Sequence, residues 1–242
     1  MNCSATPTSA RVRGIAALHA PALLPTEQMS PALDALSLKF AIATRNTKLT
    51  ALDVGCGDGL ATVAALARGG HILAVDSDSQ RLKQLLARVP AEQYARLHVR
   101  VGTLQQLDFK GTHFAAVHAA RVLHLLSPTE LQQALRKFYR WLYPEGLLFI
   151  SAFTPAGRYW RAFRAEHAAR NLRRERWPGM IEDVSRYVDC DDDAATAIHL
   201  LDEAILRREL ANAGFIVEDL NCADTQWDPD QSCCAVIARC GS

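Results

Sequence analysis

The sequence predicts an α/β fold: a doubly wound, mostly parallel sheet of seven strands with a helical insertion after the fifth. Three observations predict it. The run Ala51-Leu52-Asp53-Val54 leads into Gly55-Cys56-Gly57-Asp58-Gly59, and an Ala/Leu-rich stretch follows. Strand, glycine turn and helix in that order are how an open α/β sheet builds a nucleotide site at the carboxyl end of its first strand. From there to residue 151, four more apolar runs alternate with segments of helical periodicity. Residues 152–200 then break the rhythm before a last helix and two last strands.

The elements follow in order. Residues 1–29, rich in Ala, Pro, Ser and Thr, read as a flexible arm, and residues 30–242 as one domain. Ser30-Pro31 offers an N-cap and a first-turn proline, with Leu33, Leu36, Phe40 and Ala41 at helical spacing to about 45. The helix after the glycine turn runs from Leu60 to Arg68 and stops at Gly69-Gly70. His71 to Asp76 is the second strand. Ser77 and Gln80 frame a capping box for a helix with Leu82, Leu85, Leu86 and Val89 on one face, which Pro90 ends. Leu97 to Val101 and Phe114 to His118 are the third and fourth strands. Ser127-Pro128-Thr129-Glu130 is a second capping box, for the helix of Leu131, Leu135, Phe138 and Leu142. Pro144-Glu145-Gly146 turns into the continuous apolar run Leu147 to Ser151, the central strand. After the insertion, His199 to Asp202 introduces a helix over about 203–213, which Gly214 ends. Phe215 to Leu220 and Ser232 to Ala238 are the last strands, and the loop 224–231 between them carries Trp227.

Composition bounds the function. The 242 residues are 49% hydrophobic and 22% charged, as in an ordinary soluble globule. A net charge of +1 exerts no global pull on nucleic acid or membrane. The seven cysteines are odd in number and form no C-x-x-C pair. That speaks against a disulfide framework or a zinc site and for a cytoplasmic protein, with Cys233-Cys234 as buried thiols. The apolar patch at 15–18 is too short and broken for a signal peptide.

The glycine turn departs from the dinucleotide fingerprint G-x-G-x-x-G, since the third glycine comes one position early and Leu60 stands in its place. Asp53 and Asp58 flank the turn, and no Lys or Arg occurs from Ala51 to Ala67, a pattern that repels a pyrophosphate and suits an ammonium and a sulfonium. Asp76 ends the second strand 17 residues after Gly59, where an acid accepts hydrogen bonds from ribose hydroxyls. On these residues the chain resembles the class I S-adenosylmethionine-dependent methyltransferases over about residues 48–240. Asp53 to Gly59 resembles their first motif and Asp76 their ribose-binding acid. Trp177 to Val184 is similar to a block of an uncharacterised bacterial branch.

The resemblance implies S-adenosylmethionine as cofactor and an antiparallel final strand beside the sixth. It implies cofactor contacts at Asp53, Gly55, Cys56, Gly57, Asp76, Ser77, Thr103, Leu104, Ala119 and Val122. Thr103 departs from the acid that often bonds adenine there, and Ala115 from a frequent Asp. The Asn/Asp-Pro-Pro-aromatic tetrad of enzymes that methylate base amino groups is absent from residues 119–124, where Arg121 and His124 lie. A methyl acceptor that must lose a proton needs a base. The candidates are His199, His118 and Asp183, with Glu182.

The insertion carries seven arginines against two glutamates from Ala156 to Met180, then six acids against Arg186 from Ile181 to Asp193. A helical reading of 156–176 puts Tyr159 or Trp160, Phe163 and His167 on an inward side, and the arginines outside. The expected function is methyl transfer to oxygen or nitrogen of a small molecule, with no nucleic acid or membrane as partner. The alternatives are an RNA methyltransferase and a non-catalytic sensor or scaffold that binds the cofactor.

Overall fold

The computed structural model describes residues 33–110, 113–188, 197–222 and 232–241. The expected arm, the Trp227 loop and the acids from Asp189 to Asp193 lie outside them. The described strands are β1 (Thr50–Val54), β2 (His71–Asp76), β3 (Leu97–Val101), β4 (Phe114–Ala120), β5 (Leu142–Phe153), β6 (Met180–Ile181), β7 (Ile198–His199), β8 (Phe215–Asn221) and β9 (Cys233–Cys240). The helices are α1 (Ala35–Ala43), α2 (Leu60–Ala67), α3 (Ser79–Arg88), α4 (Pro128–Trp141), α5 (Arg164–Leu172) and α6 (Glu203–Asn212).

Seven strands form one sheet in the order β3-β2-β1-β4-β5-β9-β8. Pairings from β3 through β5 are parallel, and β9 is antiparallel to both neighbours. This is the expected doubly wound sheet. The chain winds outward from β1 to β3, then crosses to β4 and winds the other way. The crevice at that switch point, above the carboxyl ends of β1 and β4, is where such sheets take ligands.

Each face of the sheet is covered. On one, Phe40 of α1, Leu66 of α2 and Leu85 of α3 pack with Ala51, Ile72 and Phe149. On the other, Leu135, Phe138 and Trp141 of α4 and Leu206 and Leu210 of α6 pack with Leu52, Val117 and Ile150. The strand interiors are apolar on both sides because helices cover both. The insertion has its own small core of Phe153, Trp160, Phe163, Ile181, Val184, Ile198 and Leu200.

Several local expectations need correction. The first helix starts at Ala35, not near 31. Asp34 is its cap, accepting the Ser37 N–H at 2.8 Å. Asp78, not Ser77, caps α3 and accepts the Gln80 N–H at 2.8 Å. Ser77 is spanned by a tighter turn, in which the Asp78 N–H donates to the Asp76 carboxylate at 2.9 Å. The Ser127–Glu130 capping box forms as expected. Strand β5 starts earlier than expected, because Leu142 already pairs with Phe114. Four residues of β5 then oppose only Ala115 of β4 before Leu147 pairs with Ala116, and Glu145 takes a left-handed φ of 64°.

The insertion is not one helix. A 3₁₀ segment, Arg158–Phe163, precedes α5, and β6 pairs antiparallel with β7. Trp160 and Phe163 do point inward, at 1% and 0% exposure. The reading of Cys234 as a free thiol is overturned: it is bonded to Cys222. The register Asn221↔Ala235 brings the two cysteines opposite each other across β8 and β9, a proximity no spacing rule shows.

Gly179 sits where two backbones touch. A β-carbon there would lie 1.9 Å from the Leu200 carbonyl oxygen, and the Leu200 N–H donates to the Gly179 carbonyl at 2.9 Å. Neither backbone can yield without breaking that bond. Gly179→Ala is expected to lower stability by about 1–3 kcal/mol, the cost of overpacking. A urea midpoint equal to that of the wild type would show that the contact tolerates a methyl group.

Candidate active site

The glycine turn closes the end of β1. Gly55, Gly57 and Gly59 all have positive φ, at 65°, 57° and 84°. The turn is tied to β2 by the Gly55 and Cys56 N–H groups, which donate to the Val75 carbonyl at 2.8 and 3.1 Å. A β-carbon on Gly59 would meet Leu85 Cδ1 at 2.2 Å, so this glycine lets α3 pack against the turn. Gly55 is exposed at the mouth, above Val122.

Asp76 joins the turn to the next one. Its Oδ2 accepts the Gly57 N–H at 2.8 Å and its Oδ1 the Asp78 N–H at 2.9 Å. A carboxylate has about four lone-pair sites, so each oxygen keeps one for a ligand hydroxyl. This carboxylate is 8% exposed, beside the exposed Gly55 backbone. The residues present therefore fit the ribose of S-adenosylmethionine.

The other expected cofactor residues are placed unevenly. Cys56, Ser77, Thr103 and Val122 are half-buried around the crevice. Burial and the carboxylates of Asp53 and Asp76 push the Cys56 thiol far above its ordinary range, which keeps it protonated and unreactive. Ala119 is fully buried inside β4, and Leu104 belongs to the core with its carbonyl taken by Lys137 Nζ at 3.1 Å. Asp53 is 1% exposed and points into the sheet. It accepts the Thr62 hydroxyl at 2.6 Å and shares a hydrogen bond with His118 Nδ1 at 2.8 Å. Its carboxylate is thus enclosed, not offered to a methionine ammonium.

The charge pattern also differs in space from its sequence. Asp58 pairs with Arg88 at 2.8 Å, and Arg81 of α3 brings Nη1 to 3.4 Å from where a Gly57 β-carbon would be. The basic group missing from residues 51–67 arrives from the neighbouring helix. The charge argument against a pyrophosphate falls with it. Arg121 follows β4 with φ 56°, its N–H bonded to the Ser151 carbonyl at 2.8 Å. Burial lowers its pKa, and Asp34 opposes that.

The candidate bases are not brought together. His118 is 3% exposed, bonded to Asp53 and lying 3.2 Å from the Ser37 hydroxyl, with its ring stacked on Phe40 at 4.8 Å. His199 is 1% exposed and edge-on to Trp177 at 5.2 Å. Burial lowers its pKa to about 4. Asp183 is exposed and caps the turn 184–186 through Ser185, and Glu182 is exposed beside it.

What sequence reasoning did not nominate is a pair on either side of the insertion. His167 of α5 brings Nε2 to 3.4 Å from Oδ2 of Asp202, the N-cap of α6. The only local signal was the spacing of Phe163 and His167, which turned His167 inward. The arginines of α5 are engaged locally: Arg170 with Glu166 and the Met180 carbonyl, and Arg173 with Glu175 at 2.8 Å.

Comparison with known proteins agrees with the fold. The sequence profile of the methyltransferase domain family matches residues 51–146. An uncharacterised methyltransferase of Synechocystis is 30% identical over 99 residues, 41% of this chain and 44% of that protein. The match therefore spans less than half of that relative. A putative S-adenosylmethionine-dependent methyltransferase from Listeria monocytogenes superposes with a TM-score of 0.60 at 13% identity, over 86% of this chain and 99% of that one. The 1,6-didemethyltoxoflavin-N1-methyltransferase of Burkholderia thailandensis, solved with its acceptor and S-adenosylhomocysteine, superposes with 0.58 at 17% identity, over 86% and 80%. At these identities the likeness is one of fold.

Proposed function

We propose that the chain is a class I S-adenosylmethionine-dependent methyltransferase that methylates an oxygen or nitrogen atom of a small molecule, a reading supported by the methyltransferase-domain match over residues 51–146 and by the shared fold. The observation that carries this reading is Asp76. Its carboxylate is fixed by the Gly57 and Asp78 N–H groups and keeps a lone pair on each oxygen at the switch point of the sheet. Bound there, S-adenosylmethionine would supply an electrophilic methyl carbon with a neutral sulfide as its leaving group. The protein's part is to hold the acceptor atom about 3 Å away and in line. The Gly55–Gly59 backbone and Asp76 place the ribose end. Local pairing of the insertion's arginines favours a small acceptor over a phosphate chain.

Calorimetry with S-adenosylhomocysteine tests the cofactor. Losing hydrogen bonds to a charged group costs about 1.5–3 kcal/mol, so Asp76→Ala is expected to bind it at least about tenfold more weakly. Equal affinities would remove Asp76 from the site, and a wild type that does not bind would sink the reading.

A further inference from the structure

A cavity of about 320 Å³ opens between the N-terminal turns of α5 and α6. Thr154 and Ala156, just beyond β5, form its floor, and the Cys222–Cys234 disulfide forms part of its wall. Its volume is at the small end of the range for small-molecule sites. Its position suits an acceptor. The Arg121 N–H is bonded to the Ser151 carbonyl, and Val122 lies under Gly55. Thr154 is three residues past Ser151, about 10 Å of extended chain. The cavity floor thus begins three residues beyond the β5 position that bonds Arg121.

Four ionisable side chains line this space: Arg164 and His167 of α5, Asp202 at the cap of α6 and Glu203 in its first turn. Arg164 is pinned by the Ala156 and Gly157 carbonyls. Glu203 is paired with Arg207 at 2.7 Å. Asp202 accepts the Ile205 N–H at 2.9 Å, so its carboxylate cannot swing away from His167. Burial works to raise the pKa of Asp202, but hydrogen bonds from His167 and the α6 backbone hold it below the ordinary carboxylate range. An ionised Asp202 fixes the His167 proton on Nε2, 3.4 Å away, and puts the lone pair on Nδ1, where the Asn171 amide nitrogen at 3.4 Å is the neighbour an acceptor displaces.

We propose that this cavity holds the methyl acceptor and that His167 is the base that takes its proton, with Asp202 as the positioning residue. The inference rests on the methyltransferase reading above. The proton of the acceptor's hydroxyl or ammonium group passes to Nδ1. The pair it leaves on oxygen or nitrogen becomes the nucleophile, and the Asp202 carboxylate balances the imidazolium. Arg164 against Asp202 and Glu203 leaves the lining at a net charge of −1 while His167 is neutral, which matches an uncharged or cationic acceptor.

The test uses the full chain, methyl-tritiated S-adenosylmethionine and the low-molecular-weight fraction of a bacterial extract as acceptor pool. His167→Gln is expected to lower label transfer at least about 100-fold, the usual worth of a general base. Wild-type transfer is expected to fall as the medium is acidified, and the residue left in His167→Gln to lose that acid limb. Ala156→Trp, which fills the cavity, is expected to abolish transfer. Both variants are expected to bind S-adenosylhomocysteine within about twofold of the wild type, which also reports their folding. Transfer that persists in either variant with cofactor affinity intact overturns the inference and leaves the methyltransferase reading standing. A wild type that binds S-adenosylhomocysteine but labels nothing overturns it as well. A wild type that does not bind defeats the methyltransferase reading itself.

Discussion

Asp53→Ala is expected to cost about 3–5 kcal/mol of stability, the penalty for removing one partner of a buried polar pair. The carboxylate ties β1 to a helix and a strand: Thr62 of α2 donates to one oxygen and His118 of β4 bonds the other. His118 in turn lies against Ser37, which bonds Asp34 at 2.9 Å, so the chain of contacts reaches α1. With alanine at 53, Thr62 and His118 lose their partner where no water reaches, since Thr62 is 0% and His118 3% exposed. Asp53→Asn keeps both bonds if the Thr62 hydroxyl accepts instead of donating, and is expected to cost about 1 kcal/mol. Urea unfolding measures both. Combining Asp53→Ala with His118→Phe should cost clearly less than the two single changes added together. If Asp53→Asn keeps full stability yet binds S-adenosylhomocysteine tenfold more weakly, the carboxylate belongs to the ligand after all.

The protein is expected to lose stability between pH 6.5 and 5, before its carboxylates protonate. His199 and His124 are buried, and burial lowers their pKa values from 6.5 to about 4 and about 3. Arg121 adds to the lowering at His124. The unfolded chain therefore binds protons in this window that the folded one refuses, and stability falls as pH falls. Each group contributes up to about 1.4 kcal/mol per pH unit, so the pair amounts to about 3–4 kcal/mol over 1.5 units. From about one unit above pH 6.5 both are neutral in either state and the dependence fades. His199→Phe and His124→Phe should each flatten the slope of urea midpoint against pH. An unchanged slope in the double variant would place the acid sensitivity elsewhere.

Much of the architecture was legible because its signals are local. Alternating apolar runs and helical stripes mark the order of strands and helices, and β3 falls on the residues expected of it, Leu97–Val101. The Ser127–Glu130 capping box and the Gly55–Gly59 turn at the end of β1 are written in consecutive residues. Cap positions shifted by a residue or more at α1 and α3, where aspartates outcompete nearby serines.

The sequence by itself determined that this chain is a doubly wound α/β domain with a glycine turn and an acid at the end of its second strand. Only the tertiary structure decided what the charged groups do. Asp53 and Asp58 look alike in the motif, but one is buried against His118 and the other pairs at the surface with Arg88. Arg81, Cys234 and Asp202 take their roles from partners 12 to 35 residues away, Gly57, Cys222 and His167. Periodicity shows which way a side chain faces. It is silent about which distant side chain the folded sheet will bring to face it, and an electrostatic contact exists only between the two.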